Sequence, residues 1–203
     1  MIDKRKFYIN GKWINPIIKN DYEVINPSNE TPYAFISLGN KEDVNAAVNA
    51  AKNAFLEWSQ IDKETKIILL EKLSKIYKSR WDEITNTISE EMGAPLDWSS
   101  SAQTASGSDH INDFIKRLKE FEFEKKFEDK SNNRIVYEPI GVCGLITPWN
   151  WPINQITLKV IPALASGCTM ILKPSEIAPL SGMLFAEIID EAGFPPGVFN
   201  LIN

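Results

Sequence analysis

Apolar side chains recur at helical spacing over residues 41–120 and gather into short unbroken runs beyond residue 140, so one chain carries two packing signals. Val44, Ala47, Val48, Ala51, Ala54, Phe55 and Trp58 fall on one face of a helix from about Lys41 to Ser59. Ile67, Leu70, Leu73, Ile76, Tyr77, Trp81, Ile84 and Ile88 keep that period in later helices, until Gly93-Ala94-Pro95 stops it. The small, polar stretch from Trp98 to Gly107 has the composition of a linker. Ile111, Phe114, Ile115 and Leu118 resume the helical period directly after it, which favours one continuous helical layer.

Strands flank this layer. Phe7–Ile9 and Lys12–Ile14 enclose Asn10-Gly11, a strong hairpin dipeptide. Tyr22–Ile25 and Ala34–Ser37 are two further strand candidates. Phe121–Phe127 and Arg134–Glu138, either side of a turn at Ser131-Asn132-Asn133, form a second hairpin with charged strands. From Gly141 the pattern becomes strand Val142–Thr147, helix Pro152–Ser166, strand Cys168–Leu172, helix Pro179–Ala192 and strand Val198–Ile202. Proline opens the first of these helices and Gly167 closes it. This β-α-β-α-β order predicts parallel strands with right-handed crossovers, the mononucleotide-binding half of a doubly wound sheet. No helix follows the third strand, so Val198–Ile202 is expected to have a bare face and a bare edge, and the sequence reads as cut short. The expected organisation is a layer of N-terminal strands and helices over 1–120, a hairpin over 121–140 and the three-stranded α/β unit over 141–203.

Composition removes several functions. Net charge is −5, the wrong sign for a nucleic-acid partner. The basic run Lys116, Arg117, Lys119 alternates with Leu118 and reads as a solvated helix face. Two cysteines, Cys143 and Cys168, suggest no disulfide framework and point to a cytoplasmic setting. No apolar core of a secretory signal follows the basic start, and no run approaches the roughly 20 apolar residues of a membrane span, so no membrane role is expected. The single histidine, His110, has no ligand cluster at metal spacing, so no metal is expected.

Ligands of open α/β sheets bind beyond the carboxyl ends of the strands. The first strand ends at Ile146, Thr147, Pro148, Trp149 and Asn150, and the second at Lys173, Pro174, Ser175 and Glu176. By residue type alone, Asn150 reads as a turn residue, Ser175 and Glu176 as a helix start, and Lys159 as a lysine snorkelling from an apolar helix. Cys143 and Cys168 sit in apolar strands with no histidine nearby in sequence, and read as structural thiols.

The longer pattern is more specific. Glu138-Pro-Ile-Gly-Val-Cys-Gly-Leu-Ile-Thr-Pro-Trp-Asn-Trp-Pro152 resembles the aldehyde dehydrogenase segment ending in a Pro-Trp-Asn-aromatic-Pro loop. Leu158-Lys-Val-Ile-Pro-Ala-Leu-Ala-Ser-Gly167, Lys173-Pro-Ser-Glu176 and Pro195-Pro-Gly-Val-Phe-Asn-Leu-Ile-Asn203 follow in that family's order, and Tyr8-Ile-Asn-Gly-Lys-Trp13 fits its start. The resemblance covers nearly the whole chain. It implies an α/β fold with a helical layer, the first three strands of a Rossmann-like doubly wound sheet, and a projecting oligomerisation hairpin. It implies oxidation of an aldehyde to a carboxylic acid with hydride transfer to NAD, or NADP as the second candidate. It assigns Asn150 to the oxyanion, Lys159 to a proton relay, and Ile146, Thr147, Pro148, Trp149, Lys173, Pro174, Ser175 and Glu176 to the cofactor, with Lys173 and Glu176 on the adenosine ribose. Glu176 would repel a 2′-phosphate, which favours NAD. The family's nucleophilic cysteine and general-base glutamate fall beyond the third strand, so this chain is expected to be inactive alone. The expected partners are a small aldehyde and either a second copy or a complementing C-terminal fragment. A non-catalytic remnant and a plain adenine-nucleotide binder are the alternatives.

Overall fold

The computed structural model describes residues 1–128 and 132–203. The chain opens with β1 (Ile2–Asp3), β2 (Phe7–Ile9), β3 (Lys12–Ile14), β4 (Asp21–Asn26) and β5 (Thr31–Ser37). Asn10 and Gly11 adopt φ of 53° and 72°, the left-handed pair that folds β2 back on β3 with Tyr8 opposite Trp13. β1, β5 and β4 form a separate three-stranded sheet.

The helices follow the apolar spacing closely: α1 (Lys41–Trp58), α2 (Lys63–Ser79), α3 (Trp81–Met92), α4 (Leu96–Trp98) and α5 (Ala105–Glu120). Asn40 starts α1 by accepting from the amides of Glu42 and Asp43, while Asp43 accepts from the amide of Asn40, a reciprocal cap. The linker-like stretch is helical throughout. Ser99–Thr104 forms a π-helical turn joining α4 to α5, so the helical layer is continuous as expected. Beyond it, β6 (Glu124–Lys126) pairs antiparallel with β7 (Arg134–Val136) as an isolated ribbon. Part of its expected turn, at Ser131, lies outside the described residues.

The last third holds β8 (Val142–Ile146), α6 (Pro152–Ser166), β9 (Thr169–Lys173), α7 (Leu180–Ala192) and β10 (Phe199–Leu201). The three strands are parallel, with Cys143 beside Met170 and Phe199 beside Met170 on the other side. Gly167 ends α6 at φ 86°, a conformation that costs a residue with a side chain about 1 kcal/mol or more.

The sheet order corrects one expectation. Its five strands run β3-β2-β10-β9-β8, so β10 lies inside the sheet and has no bare edge. Leu201 pairs with Tyr8 of β2, and Phe199, Asn200 and Leu201 are all buried. Helix α1 packs near one face of β10, and α7 near the other. The strand looks unprotected in sequence only because its cover comes from the other end of the chain. Among the described residues the two edges of this sheet are β3 and β8, and on β8 Ile146 is 74% exposed.

Candidate functional site

β8 and β9 end together. Ile146 lies opposite Lys173, and the Thr147 amide donates to the Lys173 carbonyl at 3.2 Å. Thr147 is buried under this junction, whereas Pro148, Trp149 and Asn150 are exposed. Helix α6 then begins at Pro152. Its ring needs no backbone donor at a helix start and presets φ for the first turn. The loop therefore leaves β8 fixed at one end and enters α6 fixed at the other, with Asn150 at its outer bend. Trp151 is braced from the helical layer: its ring meets Trp98 edge-on at 5.8 Å. The π-helical turn follows Trp98 directly, a distortion that often accompanies functional sites.

Lys159 lies on α6 and points back toward the Asn150 end of that helix. Its Nζ donates to the Gln155 carbonyl at 3.3 Å and to Gln155 Oε1 at 3.0 Å. His110, on α5, is not a lone surface histidine: its Nε2 is 3.0 Å from Asn154 Nδ2 on the first turn of α6.

On the β9 side, Lys173 Nζ donates to Glu176 Oε2 at 3.0 Å and to the Pro174 carbonyl at 3.1 Å. The Glu176 carboxyl is held below its ordinary range by its own backbone amide and by Lys173. The reading of Ser175 and Glu176 as the start of a helix does not hold. Ser175 Oγ accepts from the Ile177 amide in a local turn, and α7 begins later, at Leu180.

What starts α7 is Glu91, which the sequence reading missed. It lies at the end of α3, is only 1% exposed, and accepts from the amides of Leu180 at 2.5 Å and Ser181 at 2.8 Å, and from the Ser181 hydroxyl. Burial pushes its carboxyl up to about 7 against these three donors. The period of α3 gives a weak sign of it: Ile84, Ile88 and Glu91 share a face, so a carboxylate stands where the pattern calls for an apolar residue.

Cys143 is half-buried and Cys168 buried, both free. Burial, then the neighbouring Cys168, push the Cys143 thiol up, which leaves little thiolate for nucleophilic attack. Among the described residues no group of three or more His, Cys, Asp or Glu is placed to hold a metal, and no helix is long and apolar enough to cross a membrane.

Parallel strands that stop in register, with a polar loop and a Lys–Glu pair beyond their carboxyl ends, define a Rossmann-like α/β fold, in which ligands lie beyond the strand ends. The particular family follows from comparison. The aldehyde dehydrogenase family model matches residues 13–203. A 3-succinoylsemialdehyde-pyridine dehydrogenase from a Pseudomonas species is 51% identical over all of this chain and 42% of its own length. A putative aldehyde dehydrogenase from Staphylococcus aureus is 42% identical over the same shares. Among solved structures, an aldehyde dehydrogenase from Bartonella henselae superposes with TM-score 0.98 at 56% identity, over 100% of this chain and 43% of that one. Aldehyde dehydrogenase C from Pseudomonas syringae, crystallised as a mutant with NAD+ and octanal, gives TM-score 0.95 at 42% identity, over 98% and 40%. The chain belongs to the aldehyde dehydrogenase family. It spans about two fifths of the length of these relatives.

Proposed function

We propose that this chain supplies the cofactor-side half of an NAD-dependent aldehyde dehydrogenase site, with NADP+ as the weaker alternative, and that it does not oxidise aldehydes by itself. The observation that carries the reading is the junction of β8 and β9, which sets the Asn150 loop beside the Lys173–Glu176 turn. The residues fit a dinucleotide. Ile146 and Trp149 offer exposed apolar surface at the end of β8, and Lys173 and Glu176 offer a donor and an acceptor to ribose hydroxyls. When bound, NAD+ supplies the hydride acceptor. Asn150 then donates its side-chain amide to the aldehyde oxygen as negative charge develops there, a contribution of roughly 3–4 kcal/mol for one such donor. Lys159, oriented by Gln155, stands ready to move protons along the same face of α6. The raised Cys143 thiol and the buried Cys168 are poor nucleophiles, so neither is assigned the attack on the aldehyde.

A second reading has a specific support: this chain pairs with a complementing C-terminal fragment, using the free edge of β8. The hairpin of β6 and β7, isolated from both larger sheets, serves in either case as an arm for association between subunits.

Calorimetric titration of NAD+ and NADP+ into the wild type and Glu176→Ala tests the cofactor assignment. NAD+ should bind weakly, more tightly than NADP+, and lose affinity in the variant. Equal NAD+ affinity for both proteins would reduce the Lys173–Glu176 pair to a structural turn.

A further inference from the structure

Away from the strand ends, a cavity of about 490 Å³ opens between the start of α2, the base of the β6–β7 hairpin and the end of α6. Phe55, Phe123 and Tyr137 give it aromatic surface, Ser166 a hydroxyl, Glu138 an exposed carboxylate and Lys66 an amine. Lys66 is only 5% exposed. Its Nζ sits 5.6 Å from the centre of the Phe123 ring, and among the described residues it has no hydrogen bond or ion pair. Its stem is buried while its ammonium is not sealed from the cavity, and a charge so confined, with no hydrogen-bonded partner, gains from an anion.

The simplest structural role for Lys66 would be a cation at the carboxyl end of α6, since its Nζ lies 3.1 Å from the point where a Cβ on Gly167 would sit. Lys66 makes no hydrogen bond there, and two of the terminal carbonyls are already taken. The Gly167 amide donates to Leu164, and the Cys168 amide and the Ser166 hydroxyl donate to Ala163. Lys66 is thus left facing the cavity. Burial pulls its amine below the ordinary lysine range, with Asp62, the cap of α2, opposing.

We infer that this cavity is a binding site for a small carboxylate carried on a flat apolar group, with Lys66 as its counter-ion and the aromatic walls as its platform. The cavity's other lysine, Lys63, is held by the Lys119 and Phe121 carbonyls at 3.1 and 3.3 Å, so one uncommitted ammonium, Lys66, matches one negative charge. A dianion would remain half-compensated and would face Glu138 at the rim. The cationic head over Phe123 and the ring cluster of Phe121, Phe123 and Tyr137, whose centres are 4.9 and 5.3 Å from Phe121, suit a planar body better than a bare ion.

The test uses the 203-residue chain without added cofactor. Sodium benzoate is titrated at constant ionic strength and followed by calorimetry and by NMR of the aromatic signals, beside benzyl alcohol and inorganic phosphate. Benzoate should saturate one site, and both controls should bind about tenfold more weakly or not at all. Lys66→Met, which keeps the length and removes the charge, should weaken benzoate about tenfold. Glu138→Gln, an exposed change that leaves packing intact, should strengthen it. Benzoate no tighter than benzyl alcohol, phosphate the tightest of the three, or no gain in Glu138→Gln would each overturn the assignment, as would undiminished binding by folded Lys66→Met.

Discussion

Removing the charge of Glu91 tests the buried link between α3 and α7. The carboxyl is pushed from an ordinary 4.5 up to about 7 by burial. The unfolded chain releases this proton near the lower value, and the folded chain keeps it until near the upper one. Between the two, the folded state binds more protons, so stability falls as pH rises through that window and levels off above it. At about 1.4 kcal/mol for each tenfold in acidity, the whole loss is roughly 3 kcal/mol. Glu91→Gln keeps one acceptor oxygen for the α7 amides but cannot ionise. Its denaturation midpoint should therefore be flatter than the wild type's from pH 4 to 8, and the gap between the proteins should change in the variant's favour by roughly 3 kcal/mol as pH rises. Glu91→Ala should cost about 2–4 kcal/mol even in acid, because it leaves the Leu180 and Ser181 amides unpaired and opens a cavity. Parallel pH profiles for wild type and Glu91→Gln would refute the reasoning. They would mean that the three donors and the field of α7 outweigh burial and hold the carboxyl ionised throughout.

Three further outcomes are expected. The purified chain mixed with NAD+ or NADP+ and short aldehydes should give no rise in reduced-cofactor absorbance; turnover lost on Cys143→Ser or Cys168→Ser would show that one of these thiols is the nucleophile after all. Replacing Ile140, 88% exposed, and Ile146 on β8 with lysine should reduce the self-association proposed above, as read by sedimentation, and no reduction would move the proposed adhesive surface elsewhere, the hairpin first. Gly93→Ala should lower stability by about 1–3 kcal/mol in chemical denaturation, since Gly93 has φ of 79° and an added Cβ would meet Pro27 at 2.7 Å; a neutral result would mean that the turn relaxes freely.

Local chemistry made the α/β third legible. Pro152 and Gly167 bracket α6 to the residue, Asn10-Gly11 defines its hairpin, and the apolar period carries α1 to α3. Contacts between distant segments left little trace. The pairing of β2 with β10 depends on an edge shared by residues at opposite ends of the chain, and no periodicity encodes it. β1, two residues long, is a strand only because β5 lies beside it. The loop residues from Thr147 to Asn150 and the Lys173–Glu176 pair were found because they sit at strand ends. Glu91 was not, because a buried carboxylate looks like any helix-surface glutamate until the partner amides appear. The roles proposed for Asn150, Lys159 and the cofactor-side residues rest on a family pattern, since residue types alone favour turns and caps.

The pairing of β2 with β10 also bears on when this chain can become native. The Asn10 amide donates to Asn200 Oδ1 across 190 residues of sequence, and Tyr8 Oη donates to Asp190 at 2.7 Å. During synthesis the first hairpin emerges early but has no strand to join until some two hundred residues have been made. Closing so long a loop late in assembly slows folding. Until then, the apolar face of Phe7 and Ile9 stays open to other molecules. The opening residues of this chain are thus among the last to be secured, and a nascent chain stalled short of β10 would expose them for as long as it waits.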